Sequence, residues 1–303
     1  NSPASQMPDP ANWEAVLWHE FCHTVTLTLT KNRMPRWLSE GISVYEERQA
    51  NPAWGQSMNP KFREMTLGED LTPVSKLSGA FLSPKTPGHL SFAYYESSLV
   101  VEYIVKRFGL DALRKILGDL GSGVEINAAI AKHTEPMDKL EPAFATFAKT
   151  RAEGLAPKLD WTRPKPEDLK GGVEAFAKKH PKNIYLLQRR ARKALAEKKW
   201  EAAKAPCREL IELFPHQAGG DSAYLMLARA HRELKEFKEE RKVLDQFVVL
   251  TDDAFDVYLR LMELGAKAKD WKEVRSNAER ALAVNPLLAV PYRHLAEAAE
   301  SLK

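Results

Sequence analysis

The sequence predicts a mainly helical protein of two parts, and three observations carry that prediction. Over Phe92–Phe108, Leu99 and Tyr103, and Val100 and Ile104, recur three to four apart, the spacing of a helix that buries one face. Between Ala156 and Gly172, three prolines and a Gly-Gly pair break all periodic spacing, as a linker does. Beyond it, tyrosines return at a fixed interval of 34 residues at Tyr224, Tyr258 and Tyr292. At 303 residues the chain also exceeds one ordinary compact core. The expected bounds are 1–156 for a first domain, 157–172 for the linker and 173–303 for a second domain.

The first helix is expected from Asp9, which can cap free amides ahead of Pro10, to about Leu27. Thr24, Thr26, Thr28 and Thr30 then lower helix propensity, and Met34-Pro35 restarts the chain into a second helix over Arg36 to Arg48. Gln49 to Leu90 is rich in Pro, Gly and Ser and has no sustained period, so it reads as a long loop of the kind that walls a cleft. A helix follows over Phe92–Phe108 and stops at Gly109, and further helices are expected near Asp111 to Leu117 and Leu140 to Arg151.

In the second part Tyr185 precedes the tyrosine series, offset by an insertion around Gln217 to Gly220. Trp200, Phe237 and Trp271 each follow a short turn, and Pro215, Asp252 and Pro286 stand fifteen residues after them. A period of about 34 residues is that of tetratricopeptide repeats, so three helix pairs and a terminal helix from Leu287 to Leu302 are expected to stack into a curved array. Its aromatics are read as inter-helix core, and its concave face as a surface for a protein or peptide partner.

Composition excludes several functions. The net charge is +4 with both signs interleaved, so no basic stripe tracks phosphates and no nucleic-acid partner is expected. No run of about 18 apolar residues exists, so no membrane span is expected. Cys22 and Cys207 fall in different predicted domains, which excludes a disulfide framework. The motif residues begin within twenty residues of Asn1. Sequence ahead of it, with a targeting segment, would place the protein outside the cytoplasm.

His19-Glu20-Phe21-Cys22-His23 is an HExxH segment on a predicted helix. Imidazoles one turn apart can reach a single zinc ion, and Glu20 beside them can take a proton from the attacking water and return it to the leaving amine. Val16, Leu17, Trp18, Phe21, Cys22, Thr24 and Val25 are uncharged, so this helix is expected to be buried. Cys22 points to another side and is read as a small apolar group.

The following helix contains Trp37-Leu38-Ser39-Glu40-Gly41, with sixteen residues between His23 and Glu40. Together the two segments resemble the zinc motifs of gluzincin peptidases of the peptidase MA superfamily, over about residues 12 to 150. The resemblance implies a zincin-like catalytic domain with Glu40 as third zinc ligand beside His19 and His23, and a peptide or protein substrate. Ala93 to Gly109 is similar to the helix on which the aminopeptidase branch keeps an oxyanion-binding tyrosine. Spacing from Gly109 favours Tyr94 and the Tyr-Glu dipeptide favours Tyr95, with His89 an alternative donor. The implied mixed sheet has no room before His19, so either it lies ahead of Asn1 or the domain does without it. The exopeptidase motif Gly-x-Met-Glu-Asn is absent, which favours an endopeptidase over an aminopeptidase.

Ser43 or Glu47, one or two turns past Glu40, are candidate partners for the histidines. His133, His180, His216, His231 and His294 stand in charged segments and are read as surface residues. The rival reading of the whole chain is a tetratricopeptide adaptor whose metal site is inactive or structural, against which stands an intact Glu20.

Overall fold

Threonine carries α1 (Trp13–Leu29) further than its helix propensity predicts. The computed structural model describes residues 11–169 and 172–303. The Asp9 cap with Pro10, and Gly171 of the linker, lie outside the described residues. Thr24, Thr26, Thr28 and Thr30 each return a hydroxyl to the carbonyl four residues back, at 2.7 to 3.1 Å, so the run stays helical. Lys31 and Asn32 then turn left-handed, and the Asn32 amide reaches back to the Leu27 carbonyl to close the end.

Helix α2 (Arg36–Ala50) starts after extended Pro35, and the stretch read as a loop holds two short helices, α3 (Pro60–Leu67) and α4 (Leu77–Leu82). Asn59 caps α3 by accepting from the Phe62 amide, with Pro60 in its first turn. A corresponding cap, Thr86 followed by Pro87, starts α5 (Pro87–Phe108) five residues earlier than periodicity indicated. Gly109, at φ 86°, ends it. α6 (Leu110–Gly121), α7 (Ile126–His133) and α8 (Met137–Glu153) complete this part, and α7 has no counterpart in the sequence reading.

The second part contains α9 (Val173–Lys179), α10 (Ile184–Ala196), α11 (Trp200–Leu213), α12 (Ala223–Glu233), α13 (Phe237–Phe247), α14 (Phe255–Ala268), α15 (Trp271–Val284) and α16 (Ala289–Ser301). The fold is thus mainly α, as the sequence predicts, with no strand among the described residues. The described residues divide into two compact units: Glu14–Leu155, and Ala156–Lys303 with those ahead of Glu14.

In the unit Glu14–Leu155, α5 is the central helix, with α2, α4, α6 and α8 packed on it. Trp37, Leu38 and Ile42 of α2 and Leu99, Val100 and Ile104 of α5 belong to one buried core, which fixes the rotation of both helices. Gly41 lets them approach: a Cβ there would stand 2.8 Å from the carbonyl carbon and oxygen of Ser97. Gly41→Ala should therefore cost about 1–3 kcal/mol through overpacking against backbone that cannot yield. The check is the urea midpoint, and a wild-type value would mean that the two helices are not held at this separation.

In the other unit, successive helices from α10 to α16 pack on their sequence neighbours. Trp200, Phe237 and Trp271 are the first residues of α11, α13 and α15. Lys198, Lys235 and Lys269, each two residues earlier, are all left-handed, with φ 55°, 62° and 57°. The Tyr224, Tyr258 and Tyr292 hydroxyls donate to the carbonyls of Pro215, Thr251 and Pro286. These tyrosines thus tie each helix to the turn before it.

Two expectations are corrected here. His231 is buried, 2 % exposed, and paired with Glu236 at 2.5 Å, because the turn at Lys235 folds Glu236 back over it. Phe237 is 43 % exposed, with Arg260 and Lys267 over its ring, and Tyr292 is 51 % exposed, so neither is inter-helix core. The proline-rich run is also held: the Asp160 amide and carbonyl pair with Lys182 and Ile184, and its carboxylate with His180.

Candidate metal centre

α1 places His19 and His23 one turn apart, their ring centroids 4.7 Å apart and nearly perpendicular. α2 brings Glu40 against both: its Oε2 lies 3.2 Å from His19 Nε2 and 3.4 Å from His23 Nε2. One donor atom from each of the three residues lies within 4.8 Å of the others. His19, His23 and Glu40 thus form a group that can hold a metal ion.

The remaining ring nitrogens are fixed from behind. His19 Nδ1 meets Glu47 Oε1 at 2.8 Å, and His23 Nδ1 lies 2.8 Å from Ser39 Oγ and 3.3 Å from Ser43 Oγ. Ser43 also donates to the His19 carbonyl at 3.1 Å. Both rings are oriented with Nε2 toward Glu40, the usual arrangement behind metal-ligating histidines. Burial favours neutral His19, but hydrogen bonds and charge from Glu40 and Glu47 outweigh it and raise its pKa to about 9. Burial likewise raises Glu40, yet His19, His23 and Arg36 pull its carboxyl far below the usual range. A metal ion entering would displace the proton that these groups share.

Glu20 is exposed, and its side chain makes no hydrogen bond or ion pair among the described residues. Tyr94, half-buried, donates to Glu40 Oε1 at 3.3 Å and accepts from Arg36 Nη2 at 2.9 Å. Burial, then the Glu40 charge, raises its pKa. Tyr95 is placed elsewhere: it is 4 % exposed and stacks on Phe62 at 5.0 Å, because residues one apart on a helix point about 100° apart. His89 is held by Thr86 and Asp70 at 2.8 and 3.3 Å, and no contact joins it to the group.

Two partners escaped the sequence reading. Ser39 lies one residue before Glu40, but its contact with His23 depends on how α1 is rotated against α2. Arg36, which also bonds Glu40 Oε1 at 3.2 Å, was legible as an i,i+4 pair with Glu40. The buried α1 is a further correction: Leu17 is 59 % and Phe21 60 % exposed, because the motif's polar face is the one turned to α2. Cys22 is half-buried and outside the metal group, and burial, then Glu46 and Glu47, push its thiol up to about 11.

A pair of histidines and a glutamate on successive helices, backed by a carboxylate and hydroxyls, make a group that could hold a metal ion. Residues 7–147 match the family model described as the peptidase MA superfamily, which supports a peptidase-like domain in this part of the chain. A search of curated proteins finds no match. No helix among the described residues is long and apolar enough to cross a membrane.

Proposed function

We propose that this protein is a zinc-dependent peptidase in which His19, His23 and Glu40 hold the ion. The observation that carries the reading is the convergence of both Nε2 atoms on one Glu40 oxygen, at 3.2 and 3.4 Å. Ligands about 2.1 Å from a tetrahedral ion stand about 3.4 Å apart, so these spacings fit zinc with little rearrangement. Three protein ligands leave one position open. A zinc ion held there supplies Lewis acidity toward a water and the scissile carbonyl.

Glu20 takes the proton of the attacking water and passes it to the leaving amine. Tyr94 turns its hydroxyl from Glu40 to the oxygen that gains charge, and Arg36 keeps the ring in place. Glu47 keeps His19 in the orientation and tautomer that ligation needs. Glu47→Ala should therefore weaken zinc binding about 10–100-fold, read by competition with a chelating dye. Unchanged affinity would remove Glu47 from the site.

The intact, unpaired Glu20 favours an enzyme over an adaptor with a structural metal. We assign an endopeptidase, since no acidic motif for a free amino terminus accompanies the two zinc segments. The helix pairs after the linker are read as tetratricopeptide repeats that bind a protein or peptide partner. Their recurring left-handed lysines and tyrosine-to-carbonyl bonds support this. The test is cleavage of a library of peptides with blocked termini, with and without chelator. Cleavage lost on chelation and restored by zinc is expected, and no cleavage by the zinc-loaded chain would favour the adaptor.

A further inference from the structure

Successive residues of α2 and α5 serve two places. Glu47 holds His19 while Arg48 faces a separate cavity; Tyr94 meets Glu40 while Tyr95 faces that same cavity. The cavity measures about 290 Å³, and Arg151 at the end of α8, Glu102, Ser57 and Leu99 also line it.

Its electrostatics are unbalanced. Glu102 is the one carboxylate in the lining, and three cations meet it: Arg48 at 3.6 Å, Lys106 at 2.7 Å, and Arg151 in direct contact. Arg48, with its side chain only 15 % exposed, is fixed by donating Nη1 to the Gln56 carbonyl and Ser98 Oγ at 2.7 and 2.9 Å. Such a guanidinium is oriented in advance and partly stripped of water, so an anion reaching it pays little to order it.

Tyr95 adds a further hydroxyl to the lining. The residue is 4 % exposed, and its hydroxyl has no hydrogen-bond partner among the described residues. Burial pushes that hydroxyl up to about 12, with Arg48 opposing, so it is a neutral donor.

We infer that this cavity binds a small oxyanion, held between the Arg48 and Arg151 guanidinium groups, with the Tyr95 hydroxyl donating a third contact. Arginine forks match the oxygens of carboxylates and phosphates alike. The shared chemistry is a compact group with two or more oxygens bearing negative charge, from a carboxylic acid or a phosphoryl compound.

The test is calorimetric titration of the full chain with phosphate and, separately, with acetate, at ionic strength held constant with sodium chloride. Saturable binding of at least one is expected; phosphate alone marks a phosphoryl ligand and acetate alone a carboxylate. Arg151→Gln, at a side chain 44 % exposed and outside the core, should weaken binding at least tenfold, and Tyr95→Phe about fivefold. His23→Ala should bind as the wild type does, which separates this cavity from anion capture at the metal group. The inference is overturned if neither anion binds above chloride, if Arg151→Gln leaves the affinity unchanged, or if His23→Ala abolishes binding.

Discussion

Glu20→Gln should lower kcat by about 10²–10⁴-fold while zinc content and helicity stay at wild-type values. The amide keeps the size of the carboxylate but cannot accept a proton from water. Because the Glu20 side chain makes no hydrogen bond or ion pair among the described residues, its replacement breaks no contact that holds α1 to α2. Those contacts belong to His19 and His23 with Glu47, Ser39 and Ser43. Peptide cleavage under zinc saturation, beside metal analysis of the same sample, separates the outcomes. Full activity would remove Glu20 from proton transfer, and lost zinc would make it a ligand.

Tyr94→Phe should lower kcat by about two to three orders of magnitude with KM little changed, because the contact to the oxyanion exists chiefly in the transition state. The hydroxyl already lies beside the metal group, 3.3 Å from Glu40 Oε1, and Arg36 at 2.9 Å keeps it there. Tyr95→Phe is the control, since that residue is packed against Phe62 and Phe92. It should leave kcat near the wild-type value. If Tyr94→Phe is as active as wild type, Arg36 becomes the next donor to test, since its guanidinium already spans Tyr94 and Glu40.

Which parts of this arrangement the sequence revealed follows from the range of each interaction. His19, His23 and Glu40 were legible because their spacing within two short segments reflects helix geometry, and the structure brings them together. Ser39 was not, since its contact with His23 depends on how two helices are rotated against each other. Periodicity missed α3 and α4 because each is too short to repeat an apolar face, although the Asn59-Pro60 cap of α3 was present. The threonine run misled for a different reason: propensity counts its entropy cost but not the hydroxyl bonds it returns to the backbone.

Burial was the least legible property. Uncharged residues on α1 were read as facing a core, yet Leu17 and Phe21 are exposed and the helix meets α2 through its polar side. His231 shows the converse, a titratable group in a charged segment that a turn folds beneath Glu236. In both, local composition says nothing of which face a neighbouring helix covers.

The most direct test of the zinc assignment is metal counting on the purified full chain and on His23→Ala. One zinc per chain is expected in the wild type, and close to none in the variant, because losing one of three protein ligands leaves too few for a catalytic site. Stoichiometric zinc retained by His23→Ala would contradict the assignment of His19, His23 and Glu40 as its ligands.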